Sequence, residues 1–350
     1  LYNKIIFIKY HTIKEENIMS YLLKPLKNGK LPLKNRLVMP PMATAKCEED
    51  GKPSKSLFDY YDEKSRGGYI SLIIVEHSYI SQQGKARDRQ LSVADDSLID
   101  SLKELAGIIH KNGTKAVMQI NHSGSAAKYE VTGMDAVAPS AVSNPRHNGP
   151  LPKELTLKEI KAIIEEFRAA AYRVKMAGFD GVEIHSAHGY FLNQFLSPLA
   201  NKRTDEYGGN IHGRIKIHLE VIKAVREAVG EDFPIFLRLG ASDYMEGGTS
   251  IEDSRIAAME FEESGVDIID ISGGFCGYIG RGTDEQGYFS ELSEAIKKVV
   301  SVPVILTGGV TEAQAAEKLL ADGKADLIGV GRAILNDSDW AKKAVESLKP

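Results

Sequence analysis

Eight short runs of apolar and β-branched residues recur along the 350-residue chain, and longer stretches with helical spacing lie between and after them. The runs fall at 36–39, 70–75, 115–120, 181–185, 235–239, 267–271, 302–306 and 326–330. Several, such as SLIIVE and VPVIL, are continuously apolar, which suits strands covered on both faces of a parallel sheet. Thr156-Leu157-Lys158-Glu159 forms a capping box, in which the threonine hydroxyl and the glutamate carboxylate each satisfy an unpaired amide at a helix start. The helix it opens is expected to run to about Ala177, with Gly178 as its stop. Ser250 and Asp253 give a weaker start signal before a helix ending near Gly265. Other helices are expected near 54–66, 97–111, 211–229, 290–299, 312–321 and 338–347. Eight βα units without a compositional break predict an α/β chain with one (β/α)8 TIM barrel over 19–350. The alternative, an open doubly wound sheet, should carry G-x-G-x-x-G after its first strand. None is present, and the glycine cluster GGFCGYIGRG at 273–282 reads as a loop after the sixth strand.

Hydrophobic residues make up 43% and charged residues 26% of the chain, enough for a sizeable core. The net charge of -4, with acids and bases interspersed, gives no basic stripe for nucleic acid. No apolar run approaches a membrane span. The two cysteines, Cys47 and Cys276, form neither a metal-binding nor a redox spacing. A reducing, cytoplasmic location is the expectation. Residues 1–18, apolar and basic at first, lack the apolar stretch and small-residue cleavage site of a signal peptide. They are expected to be a disordered or non-native extension ahead of a natural start at Met19, and an intact mass that includes Leu1 would count against this.

A barrel places its chemistry at the C-terminal ends of its strands. After the first run comes Pro40-Pro41-Met42-Ala43, a stiff turn with a polarizable thioether. Gln119 closes the third run with an amide that both donates and accepts, as a heterocycle edge requires or as an internal polar contact would use. The fourth reads GVEIHSAHGYFLNQFLSP. Glu183 and His185 share a face, and His188 and Tyr190 follow at the mouth. Two imidazoles and a phenol can bind an anionic oxygen and deliver a proton. Glu183, His185 and His188 could equally ligate a divalent metal or be structural. Arg238, ending the fifth run, either stabilises negative charge on a ligand or pairs internally with Glu183 or Asp270. Thr307-Gly308-Gly309-Val310 and Gly329-Val330-Gly331-Arg332 follow the last two runs. Paired glycine loops with an arginine there suit a phosphate.

LKNRLVMPPM, RDRQL, MQINHSG, HSAHGYFLNQFLSPLANKRTDEYGGNIHGR, FLRLGASDY, TGGV and GVGRAIL occur in that order over about 22–340. In this set and spacing the chain resembles the old yellow enzyme family. The resemblance implies an FMN-dependent oxidoreductase that uses NADPH or NADH to reduce activated C=C bonds of enones and enoates. It places Pro41, Met42 and Ala43 beside the flavin ring and Gln119 on its pyrimidine. Arg238 falls near the N1 side, and Gly308, Gly309, Gly331 and Arg332 at the phosphate. Glu76 joins this cofactor-binding set. His185 and His188 would bind the substrate carbonyl and Tyr190 would supply the proton. Ala43 stands where relatives often carry Thr or Cys, Ala45 where some carry Tyr, and Ser125 where Arg is usual. The tail after Trp340 has no arginine to complete a neighbour's site, although relatives often form dimers or tetramers. The chain stops before the iron–sulfur and dinucleotide-binding regions of larger relatives, so a short stand-alone reductase is expected over a dienoyl-type or other dehydrogenase. Two rivals make other predictions. A metal-dependent barrel hydrolase or isomerase predicts bound metal and no flavin. A flavin sensor or store predicts a flavin that NAD(P)H reduces and no alkene reoxidises.

Overall fold

The structure is a computed structural model that describes residues 19–27, 29–146, 149–279 and 285–349. The segment 1–18, expected above to be an extension, lies outside them. All eight runs form parallel strands: β1 (Leu37–Met39), β2 (Leu72–Tyr79), β3 (Lys115–Asn121), β4 (Gly181–Ser186), β5 (Ile235–Gly240), β6 (Ile268–Ser272), β7 (Val304–Thr307) and β8 (Leu327–Gly329). They close into a barrel in which β1 pairs with both β2 and β8. Closure excludes the open doubly wound sheet.

Strand parity divides the interior into an apolar and a polar level. Val38, Leu72, Ile74, Val117, Phe236, Ile268, Ile305 and Leu327 form one buried cluster with Leu26, Leu31 and Leu33. Leu26 and Leu33, joined by an antiparallel bridge, belong to the segment before β1 that packs on this cluster. Residues two further along a strand share its face. Gln119, Arg238, Asp270 and Thr307 therefore stand above Val117, Phe236, Ile268 and Ile305.

The helices cover the outside. Leu157–Met176 buries Ile160, Ile163, Ile164, Phe167, Ala170, Ala171 and Val174, an i, i+3, i+4 stripe. Its capping box is formed, with the Thr156 hydroxyl accepting from Glu159 N and the Glu159 carboxylate accepting from Thr156 N. Gly178 follows its end with φ +78°. The Ser250 side chain likewise accepts from Asp253 N. Among the described residues, no helix is long and apolar enough to cross a membrane.

Short elements escaped the sequence reading. Helices form at Phe191–Leu196 and Arg332–Asn336, and Val137–Ala138 pairs with Lys153–Glu154 beyond the barrel. All six residues of Phe191–Leu196 are buried, Asn193 and Gln194 included, so it has no exposed face to give a helical period.

Candidate active site at the mouth of the barrel

A cavity of about 520 Å³ opens at the C-terminal strand ends. It is lined by Pro41, Met42, Ala43, Gln119, His185, His188, Tyr190, Arg238, Gly308, Gly309, Gly331 and Arg332. Of the residues singled out in the sequence as catalytic or cofactor-binding, the lining lacks Glu76 alone.

The polar level forms the floor. Gln119 Nε2 donates to Glu183 Oε1 at 2.8 Å, between strand neighbours in register. In this orientation the amide oxygen is left for the cavity. Arg238 Nη1 lies 3.1 Å from Asp270 Oδ2, and Thr307 Oγ1 donates to Asp270 Oδ1 at 3.1 Å. Of the two partners weighed for Arg238, Asp270 is the one paired, while the guanidinium still lines the cavity. Burial pushes the Glu183 carboxyl well above the usual range, and repulsion from Asp270 adds to this. Burial raises Asp270 too, with Arg238 opposing. Arg238 Nε and Glu183 Oε2 are buried without a hydrogen-bond partner among the described residues. Glu183 is committed to Gln119, and among the described residues no three His, Cys, Asp or Glu side chains are grouped to hold a metal ion.

Above this floor runs a row of four rings. His77 stacks on Tyr190 at 5.7 Å, Tyr190 meets His185 edge-on at 5.3 Å, and His185 meets His188 edge-on at 5.0 Å. Burial drives His77 down to about 3. Burial, then the nearby charges, hold His185 and His188 well below the usual imidazole value. All three rings are therefore neutral at pH 7, each with one N–H to give. His188 Nε2 is 2.8 Å from Ser272 Oγ. His188 has φ +61°, a left-handed conformation uncommon outside glycine and associated with functional sites. Two buried amides hold the turn. Gly189 N donates to Asn193 Oδ1 at 2.7 Å, and Gln194 Nε2 donates to Gly189 O at 2.7 Å. The buried Phe191–Leu196 helix thus fixes the His188–Tyr190 turn.

The glycines of the last two loops make room for side chains as well as exposing amides. A Cβ on Gly309 (φ +71°) would sit 2.4 Å from the Tyr288 ring, and one on Gly331 2.8 Å from Met42 Sδ. Arg332 donates to Tyr288 Oη at 3.2 Å, and that hydroxyl donates to Tyr278 O at 2.6 Å.

Glu76, expected in the cofactor-binding set, does not line the cavity. Alternation from Leu72 and Ile74 would turn it into the barrel, but the β2–β3 register shifts between Val75 and Ser78. His77 lines the cavity instead. The Glu76 carboxylate turns to Thr44 N, with Cys47 Sγ 3.9 Å away, and braces the loop that carries Ala43. Burial raises it to about 7. A carboxyl raised above its unfolded value contributes stability that is fully present below about pH 4.5 and lost as pH rises through 7. Glu76→Gln is therefore expected to gain about 3 kcal/mol on the wild type between pH 4.5 and 8. Urea denaturation at both pH values checks this. A difference that stays constant would mean that Glu76 is ionised throughout.

The sequence reading also missed Arg87, Arg146, Tyr278 and Tyr288, which line the cavity from loops or loop ends. His77 lay within reach of the strand-end rule, and the bulge hid it. The loop residues carry no period to mark them. Of the positions that depart from the family pattern, Ala43 lines the cavity, whereas Ser125 is buried beside Asn144, whose Nδ2 donates to its hydroxyl at 2.9 Å.

The comparisons agree with this fold. A family model described as NADH:flavin oxidoreductase / NADH oxidase family matches residues 21–350. The chain is 44% identical over 324 residues to an NADH oxidase of Thermoanaerobacter brockii, covering 91% of this chain and 50% of the relative. It thus spans about half that relative's length. It is 39% identical over 305 residues to an NADPH dehydrogenase of Clostridium acetobutylicum, covering 87% and 88%. The solved old yellow enzyme homologue from Zymomonas mobilis superposes with a TM-score of 0.80 at 27% identity, covering 93% and 92%.

Proposed function

Because the chain belongs to the NADH:flavin oxidoreductase / NADH oxidase family, we propose that it is an FMN-dependent NAD(P)H oxidoreductase that reduces activated carbon–carbon double bonds. The observation that carries the reading is one cavity with distinct groups for each part of that task. The residues present fit FMN. Gln119 offers an amide oxygen, Arg238 a buried Nε without a partner among the described residues, and Gly308, Gly309, Gly331 and Arg332 an amide-and-guanidinium cradle for its phosphate. Pro41, Met42 and Ala43, which line the cavity, would flank the ring, with Glu76 bracing their loop from behind. When bound, FMN supplies the two-electron chemistry that links the nicotinamide donor to the alkene acceptor.

The protein residues do the rest. Neutral His185 and His188 donate N–H groups to the acceptor's carbonyl oxygen. They accelerate the reaction to the extent that they bind the more anionic transition state better than the ground state. Tyr190, held between His77 and His185, delivers the proton to the α-carbon from Oη. His188 is fixed in turn by Ser272.

A visible spectrum of the purified protein under anaerobic conditions tests the reading. A flavin band is expected that NADPH or NADH bleaches and cyclohexenone restores. A colourless protein that cannot be reconstituted with FMN would overturn the cofactor. A band that bleaches and stays bleached with enones would leave the cofactor standing and overturn the alkene acceptor.

A further inference from the structure

Four arginines line the cavity, Arg87, Arg146, Arg238 and Arg332, and no aspartate or glutamate among the described residues does. The three imidazoles are neutral, so they neither add to nor offset this charge. Asp270 balances Arg238 from below. On the function proposed above, on which this inference rests, the cofactor phosphate balances Arg332. Arg87 and Arg146 remain, and neither forms an ion pair within 4 Å among the described residues. Arg146 closes one end of the ring row, where its Nη1 donates to His188 O at 3.4 Å, and Arg87 lines the same cavity.

Arg146 is seated. Its guanidinium lies 5.3 Å from the Tyr278 ring centroid, and its backbone N–H donates to Asn144 Oδ1 at 2.9 Å. A Cβ on Gly277 (φ +82°) would fall 2.3 Å from Nη1, so the loop after β6 leaves room for this side chain. A half-buried guanidinium with one carbonyl partner among the described residues keeps most of its five donors for something else. Their planar fork matches a carboxylate or phosphate.

We propose that Arg146, assisted by Arg87, forms an anion subsite at the substrate end of the cavity, which takes a carboxylate or phosphate carried by the molecule bound over the cofactor. That molecule is then an acidic unsaturated acceptor, held at its carbonyl by the histidines and at its charge by Arg146, or the diphosphate-bearing nicotinamide donor.

Calorimetric titration of the holoenzyme tests this with benzoate and benzamide, planar molecules that differ by one charge, and with ADP-ribose, which carries the diphosphate alone. With a carboxylate source, benzoate binds about tenfold or more tightly than benzamide. The ratio falls toward one in Arg146→Gln, is largely kept in Arg146→Lys, and falls with added salt in the wild type. With a dinucleotide source, ADP-ribose shows these losses instead. Equal binding of benzoate and benzamide, with ADP-ribose indifferent to Arg146→Gln and to salt, overturns the proposal. The salt series on the wild type holds even if a variant misfolds. Because binding is read without turnover, a charge preference in a protein that reduces no enone would leave the subsite standing and overturn only the alkene reductase.

Discussion

Tyr190→Phe is expected to slow reoxidation of the reduced enzyme by cyclohexenone about a hundredfold or more, the usual contribution of a positioned general acid. Reduction by NAD(P)H needs no proton from this hydroxyl, so its rate is expected to stay within a few-fold of the wild type. The substitution removes one oxygen. The ring keeps its stacking on His77 and its edge contact with His185, neither of which needs the hydroxyl. Stopped-flow absorbance separates the two half-reactions. Equal slowing of both would assign Tyr190 to ligand placement. No slowing of either would move the proton source elsewhere, to water or to a histidine. The imidazoles are poor candidates, since burial keeps them neutral.

Arg238→Met is expected to destabilise the fold by about 3 kcal/mol at pH 8, because it removes one partner of a buried ion pair and strands the other. The deficit is expected to shrink as pH falls. Asp270 and Glu183 are already raised by burial, and losing the cation raises both further. A carboxyl raised in the folded state contributes stability that is present below its unfolded pKa, near 4, and lost as pH rises through its folded value. The variant should therefore approach the wild type near pH 4 and fall behind toward pH 8. Urea denaturation across this range measures it, and a deficit independent of pH would show that Arg238 acts by packing alone. Added FMN is expected to restore less stability to the variant than to the wild type, since its cavity-facing cation is gone.

The sequence by itself determined the barrel. Eight apolar runs with helical stretches between them have one economical solution when both faces of every strand must be covered, and the capping box at Thr156 and Glu159 fixed one helix start to the residue. It also determined most of the mouth. Strand parity carries Gln119, Glu183, His185, Arg238 and Asp270 to one side of the wall, and the residues just beyond a strand end have little choice of place.

Parity fails where the ladder breaks, and only the tertiary structure decided those positions. The bulge in β2 sent Glu76 to Thr44 and gave its place to His77. The Phe191–Leu196 helix, buried on all sides, leaves no periodic trace, and its role in holding the His188–Tyr190 turn appears only when Asn193 and Gln194 are seen bonded to Gly189. The sequence left Arg238 between a ligand and two carboxylates, and it is pairing across neighbouring strands that selects Asp270. Arg87, Arg146, Tyr278 and Tyr288 come from segments whose path no local pattern sets. A loop residue's partners lie far along the chain, so it is the closed barrel, bringing those segments over one opening, that makes them part of a site.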